Sequence, residues 1–448
     1  MGRLFGTDGV RGVANRELTP ELAFDLGRAG AAVLAGEVQH KPRILIGSDT
    51  RISCGMLEAS LAAGICAAGA DAILCGVVPT PAIAYLTCAK GCDAGVVISA
   101  SHNSFEFNGI KFFNAEGYKL PDRVEDEIEE MIARREASNR PEGERIGRIS
   151  RYESAAADYT EHLKQTMGSD LSGLVIAMDC ANGAASAIAP RLFRDLGAQV
   201  LSLGVTPDGI NINENCGSTH LGGLSHLVRD QACSLGLAFD GDADRMLAVD
   251  EYGDPVDGDI IMAIVADDMH RQGVLPSDTL VVTVMSNMGL DIAARERGIR
   301  LEKTKVGDRY VLESMIAGGY AIGGEQSGHI ILTDHATTGD GMLSALRLLR
   351  ALQSSKQTLG EARKIMTVLP QVLKSARIPN ENKEAAMADP EILAMCADAE
   401  RRLAGRGRVL VRASGTEPIV RVMLEGEDTG MISEMAEQIV KKIVERHD

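Results

Sequence analysis

Gly95-Val-Val-Ile-Ser-Ala-Ser-His-Asn103, running on as Ser-Phe-Glu-Phe-Asn-Gly-Ile-Lys111, is the stretch on which the fold turns. The β-branched run Val96 to Ile98 ends in small polar residues. A buried parallel strand delivers a loop to the edge of its sheet in this way. Ser101 then stands at a strand's carboxyl end, the edge outside which open α/β sheets bind ligands. A hydroxyl flanked by Ser99, His102 and Asn103 is a candidate nucleophile there. Taken alone, the same residues also make an ordinary polar turn. The rest of the chain must decide.

Working outward, the strand–loop pattern occurs three times. Strands Ile44 to Ile46, Ala72 to Leu74 and Gly95 to Ile98 lead into Gly-Ser-Asp-Thr-Arg51, Gly76-Val-Val-Pro-Thr-Pro81 and the serine loop. Strands Leu174 to Ala177, Val200 to Leu203 and Gly236 to Phe239 lead into Met178-Asp-Cys-Ala-Asn-Gly183, Gly204-Val-Thr-Pro-Asp-Gly209 and Asp240-Gly-Asp-Ala-Asp-Arg245. Strands Leu280 to Val284, Arg300 with Leu301, and Tyr320 to Ile322 lead into Met285-Ser-Asn-Met-Gly289, Thr304-Lys-Val-Gly-Asp-Arg309 and Gly323-Gly-Glu-Gln-Ser-Gly-His329. Strands alternating with helical stretches imply βαβ crossovers, hence α/β units whose largely parallel or mixed sheets are covered on both faces. Charged turns near 150 and 252 divide the units, and beyond about 368 the character changes. There Val409 to Arg412 and Ile419 to Leu424 flank a loop, and an amphipathic helix from Ile432 to Arg446 closes the chain. The expected domains are 1–150, 151–252, 253–367 and a smaller α+β domain, 368–448. If the three sheets share a centre, their third loops meet in one central cleft.

Composition narrows the function. With 45% hydrophobic and 24% charged residues among 448, the chain is globular; with 3% aromatic residues, no Trp and a net charge of −17, it suits no nucleic-acid partner. A phosphorylated ligand would need a local cluster of cations, backbone N–H groups or metal. Nine Cys without close pairing read as free thiols of a reducing compartment, and no apolar leader or 18-residue apolar run is present. The expectation is a cytoplasmic protein with no membrane partner.

Asp240, Asp242 and Asp244 carry the strongest chemistry. Three carboxylates spaced by two repel one another, and a hard divalent cation is the usual reason to gather them. Together with Glu251 they match four positions of a calcium-binding EF-hand, but Arg245 stands where that loop needs Gly, and the flanks read as strands. Mg²⁺ is the better reading. Ser414, Gly415 and Thr416, with Arg412 and Arg421 beside them, offer the donors that hold a phosphate dianion. Glu325, Gln326 and Ser327 suit the hydroxyl or amino groups of a sugar. Near the amino terminus Thr7, Asp8 and Arg11 sit on a glycine-rich turn.

With those residues in hand, the chain resembles the α-D-phosphohexomutases over its whole length, and most of all their glucosamine branch. The motifs that carry the resemblance are Gly6-Thr-Asp-Gly-Val-Arg-Gly12, Ser99-Ala-Ser-His-Asn103, Asp240-Gly-Asp-Ala-Asp-Arg245, Gly324-Glu-Gln-Ser-Gly-His329 and Arg412-Ala-Ser-Gly-Thr-Glu-Pro418. The resemblance implies four domains around a central cleft and a phosphoserine at Ser101. It implies Mg²⁺ held by that phosphate with Asp240, Asp242 and Asp244. The implied reaction interconverts glucosamine 6-phosphate and glucosamine 1-phosphate through glucosamine 1,6-bisphosphate, supplying amino sugar for UDP-N-acetylglucosamine and cell-wall polymers. Lys111 and His329 become the acid–base candidates, Arg11 neutralises the transferring phosphoryl group and His102 orients the serine loop. Arg245, Asp308, Arg309, Glu325 and Ser327 fall to the sugar phosphate, and Arg412, Ser414, Gly415, Thr416 and Arg421 to the second phosphate. The sequence leaves room for a homodimer and for a kinase that first phosphorylates Ser101. Rival readings are a phosphomannomutase or phosphoglucomutase, a phosphoserine-forming hydrolase, and a non-enzymatic calcium module.

Overall fold

A computed structural model describes residues 3–6, 8–35, 38–134, 141–414 and 418–447. The chain divides into two compact units, Met1–Met285 with Gly298–Ile365, and Ser286–Arg297 with Met366–Asp448.

The first unit holds three sheets of one design. In the first, strand Arg43–Ser48 lies between Asp71–Val77 and Ala94–Ile98, all parallel. In the second, Val175–Asp179 lies between Gln199–Leu203 and Leu235–Phe239. In the third, Thr279–Thr283 lies between Arg300–Thr304 and Ile322–Gly324. Each time the first strand is central and the third carries an antiparallel neighbour, respectively Phe107–Asn114, Met246–Val249 and Ile330–Leu332. The threefold repeat is therefore a repeat of topology, and the sheets are mixed.

Why these segments are strands is plain from their burial. Val96, Val97 and Ile98 are fully buried, as are Ile44 and Ile46 beside them, so unbroken apolar runs fill sheets covered on both faces. The helices Pro20–Ala35 and Cys54–Ala67 supply one cover, through Leu26, Leu57, Leu61 and Ile65. The first sheet extends further than expected. Gly9–Val13, read as a glycine-rich turn, is a strand paired antiparallel to Phe107–Asn114, which places Arg11 opposite Gly109.

The second unit contains an antiparallel sheet of Gln371–Arg377, Ile419–Gly426 and Gly407–Ala413, in that order. Helices Pro390–Leu403 and Thr429–His447 pack on it through Ile392, Leu403, Ile432, Ile439 and Ile443. The helix Met288–Glu296 groups with this unit. Asn287 caps it through Gly289 N–H, and the same side chain exchanges hydrogen bonds with Leu369, its amide donating to the carbonyl at 2.9 Å and its oxygen accepting from N–H at 3.0 Å.

Candidate active site

The three third loops of the first unit converge. Ser101 Oγ donates to Asp240 Oδ2 at 2.6 Å, joining the loop after Ala94–Ile98 to that after Leu235–Phe239. His329 Nδ1 lies 3.5 Å from Asp244 Oδ2, bringing in the loop after Ile322–Gly324. The approach is close enough to dictate a residue type. A Cβ on Gly241 would stand 2.5 Å from the Ser101 carbonyl oxygen.

Ser101 is buried and has a φ of 51°, in the left-handed region that costs a non-glycine residue about 1–2 kcal/mol. Its N–H donates to Ser99 Oγ at 2.9 Å, and its Oγ lies 3.4 Å from His102 Nδ1. Burial first, then the charges of Arg245 and Arg11, push the His102 pKa down to about 4. The ring beside Ser101 is therefore neutral at pH 7.

Asp240, Asp242 and Asp244 each present an oxygen within 4.8 Å of the others, all deeply buried. Burial, then Asp244 and Asp242, hold Asp240 well above the usual carboxylate range. Asp242 Oδ2 accepts from Thr80 Oγ1 at 2.6 Å and from Lys111 Nζ at 3.0 Å. Asp242 Oδ1 and Asp244 Oδ1 are buried with no hydrogen-bond partner among the described residues. Orphaned carboxylate oxygens gathered in this way fit a hard, oxygen-preferring dication such as Mg²⁺, which would cancel the repulsion and satisfy them together. The EF-hand alternative fails in space too. Glu251 is turned away, its Oε2 accepting from Gly360 N–H at 2.8 Å, and antiparallel strands flank the loop.

A buried ionic chain runs from this triad. Lys111 Nζ lies 3.0 Å from both Asp8 and Asp242 and 3.9 Å from Asp244. Burial alone would lower its pKa, but Asp242, Asp8 and Asp244 outweigh that and raise it, so Lys111 is a fixed ammonium. Asp8 also pairs with Arg11 and, at 2.6 Å, with Lys119, which pairs in turn with Asp308. His329 sits between Asp244 and Asp308, with Nε2 3.5 Å from the latter and accepting from Gly339 N–H at 3.1 Å. That backbone donor places the ring proton on Nδ1, toward Asp244. The two carboxylates nonetheless raise the ring's pKa against its burial. A Cβ on Gly339 would fall 2.5 Å from the imidazole, so both ring edges are walled in by protein.

The remaining candidates divide. The Arg245 N–H donates to Asp240 Oδ1 at 3.2 Å, and its guanidinium, 3.9 Å from Asp244, is raised in pKa by Asp244 and Asp240 in spite of burial. Glu325 Oε1 accepts from Gly307 N–H at 3.0 Å, and Ser327 Oγ is buried with no partner among the described residues. Gln326 donates to Asp257 at 3.1 Å, toward a helix cap. Arg309 pairs with Asp122 and Glu313. In the second unit Arg412 and Arg421 face each other on adjacent strands, and burial with the Arg421 charge lowers the pKa of Arg412. The Ser414 carbonyl accepts from Lys383 Nζ at 2.6 Å; Gly415 and Thr416 lie outside the described residues. Thr80, Lys119, Asn213 and Arg51 join these residues without a local sequence signal; Thr80 and Arg51 lie in the strand-end loops Pro-Thr-Pro81 and Gly-Ser-Asp-Thr-Arg51, where only their spatial partners distinguish them from turn residues.

The four domain models of the phosphoglucomutase/phosphomannomutase family match the chain in order: alpha/beta/alpha domain I at residues 2–139, domain II at 157–253, domain III at 257–369 and the C-terminal domain at 373–442. A phosphoglucosamine mutase of Acetivibrio thermocellus is 56% identical over 447 residues, covering 100% of both chains. The chain belongs to the phosphoglucosamine mutase family. Membership accounts for the order of the five motifs along one chain. The fold is likewise similar to solved structures. A phosphoglucomutase/phosphomannomutase family protein of Burkholderia thailandensis, 22% identical, superposes with a TM-score of 0.83 over 100% of this chain and 98% of its own. An N-acetylphosphoglucosamine mutase of Aspergillus fumigatus, in complex with GlcNAc-6P and magnesium, is 17% identical with a TM-score of 0.68, covering 99% and 96%.

Proposed function

We propose that the chain interconverts glucosamine 6-phosphate and glucosamine 1-phosphate through phosphoserine at Ser101 and a glucosamine 1,6-bisphosphate intermediate. The observation that carries this is Ser101 Oγ, 2.6 Å from Asp240 within a triad of buried carboxylates. In the forward direction the bond from phosphorus to Ser101 Oγ breaks as one to the sugar O1 forms, and the O1 proton passes to Lys111 Nζ as the ammonium gives its own to the Asp8 or Asp242 carboxylate beside it. The bisphosphate then turns, the bond from its 6-phosphorus to O6 breaks as one to Oγ forms, and O6 takes the proton back. Transfer of this kind draws its rate from positioning and charge neutralisation. Mg²⁺ held by Asp240, Asp242, Asp244 and the phosphate on Ser101 would supply positive charge at the phosphoryl oxygens.

The protein residues take definite parts in this reading. Lys111, held as an ammonium, donates and neutralises; it can accept the sugar proton only as it passes its own to Asp242 or Asp8. His329 has a protein partner at each ring nitrogen, so we assign it to aiming Asp244. Arg11 and Arg245 add positive charge beside the transferring group. Ser327 Oγ, without a partner among the described residues, and Glu325 are suited to the sugar's amino and hydroxyl groups. Arg412 and Arg421, like charges abreast, favour an anion between them, and with Ser414 they suit the phosphate that is not reacting.

Intact mass and Mg²⁺-dependent conversion of glucosamine 6-phosphate, with wild type beside Ser101→Ala, test the proposal. One phosphate on the wild type, and isomerisation lost in the variant, are expected. Turnover persisting in Ser101→Ala would overturn the mechanism; phosphorylated wild type that isomerises only mannose or glucose phosphates would overturn the substrate.

A further inference from the structure

We propose that Arg51 and Asn213 are positioning residues that clasp the serine loop from two sides and hold Ser101 in the backbone conformation from which it transfers phosphate. The proposal rests on the reading of Ser101 as the phosphoryl carrier. Two carbonyls of the loop, those of Ser101 and Asn103, each receive the same pair of donors. Arg51 donates to them at 3.1 and 2.6 Å, and the Asn213 side-chain amide at 2.9 Å each. Arg51 is buried and ion-paired with the equally buried Asp49, which also accepts from Arg51 N–H at 3.0 Å and from Cys54 Sγ at 3.2 Å. The guanidinium therefore has no freedom to follow the loop; the loop must follow it.

Asn213 comes from the second α/β segment and is itself at a φ of 59°, its N–H donating to the Ala181 carbonyl at 2.9 Å. Two left-handed residues thus face each other across the segments, with Gly241 packed against both. An L-residue prefers φ below zero, and the loop's own bonds, from Ser101 N–H to Ser99 Oγ and from Asn103 N–H to the Ala100 carbonyl, are joined by four donated from outside the loop to the Ser101 and Asn103 carbonyls. They fix the direction in which Oγ leaves the backbone toward Asp240. The clasp also ties the serine to the segment that carries the carboxylates, so nucleophile and metal ligands keep one frame.

Two substitutions separate donation from bulk. Asn213→Gly removes the amide where glycine accepts the positive φ freely. Asn213→Asp keeps the shape and turns the donor into an acceptor aimed at two carbonyls. Hydrogen–deuterium exchange of the peptide spanning residues 99–103, which needs no turnover, is expected to quicken about tenfold in both. In the mutase assay kcat is expected to fall roughly 10- to 100-fold with KM for the sugar phosphate unchanged, the signature of a displaced reacting group. Unchanged exchange in a folded Asn213→Asp protein would overturn the clasp whatever the activity. A kcat within twofold of wild type would overturn its role in catalysis. Should Asn213→Gly fail to fold, Asn213→Asp decides alone. Wild type that exchanges as expected but does not isomerise would count against the proposed reaction and leave the clasp standing.

Discussion

Thr80 shows how one hydroxyl can govern a charged centre it was not read as belonging to. Its Oγ donates to Asp242 Oδ2 at 2.6 Å, and its N–H donates to the Asp242 carbonyl at 3.0 Å. With Lys111 on the same carboxylate oxygen, these bonds leave Asp242 Oδ1 without a partner among the described residues. Such supports typically account for 10- to 100-fold in metal affinity. Thr80→Val, which keeps the shape in a fully buried position, should therefore raise the Mg²⁺ concentration for half-maximal activity by roughly tenfold and leave the saturated KM for sugar phosphate unchanged. An unaltered Mg²⁺ titration would sink this account. Legibility at this scale follows residue type. Ser101 and the Asp240 triad stand out in the sequence because a hydroxyl at a strand's carboxyl end and clustered carboxylates are chemically conspicuous. Thr80, Asn213 and Arg51 do not, because each matters through a partner more than 45 positions away, and no local pattern records that.

Elements were legible where one periodicity held and blurred where glycine intervened. The closing helix was expected over Ile432 to Arg446 and spans Thr429–His447, since its apolar stripe is unbroken. Gly9–Val13 was not seen as a strand, because two glycines in five residues mask a period of two. Helix starts carry a measurable consequence. Asp340 caps Gly341–Ser355, accepting from Leu343 N–H at 3.0 Å and from the Tyr159 hydroxyl at 2.6 Å. Burial outweighs those bonds and pushes its pKa up to about 6. A carboxyl whose folded pKa is raised stabilises the fold below its ordinary value near 4, and that contribution is lost as pH rises to about 6. Asp340→Asn keeps a good cap and cannot ionise. It should melt increasingly above wild type as pH rises from 4 to 7, gaining about 2–3 kcal/mol in relative stability across that window. Melting curves that run parallel at all pH values would show that Asp340 is ionised in the fold at no cost.

For the molecule as a whole, repetition made the architecture readable. Three segments with the same loops in the same order demanded the same sheet three times, and the sheets indeed share strand order and the added antiparallel strand. The grouping of Ser286–Arg297 with the carboxyl-terminal residues was beyond reach, because Asn287 and Leu369 recognise each other across 82 positions. Division into two units gives metal binding a definite expected reach. Asp240, Asp242 and Asp244 all belong to the first unit, and a cation that binds the folded form alone stabilises it by about RT ln(1 + [L]/Kd), roughly 2.7 kcal/mol at a hundredfold excess over Kd. That free energy is delivered to the segments whose unfolding destroys the site. On addition of Mg²⁺, exchange should slow in peptides covering Ala94–Ile98, Leu235–Phe239 and Met246–Val249. Peptides covering Gln371–Arg377 and Ile419–Gly426 should exchange as before, and chelation should reverse the difference. Equal slowing in all five would mean that the units unfold as one cooperative body, and no slowing in the first three would mean that the carboxylates do not hold the ion.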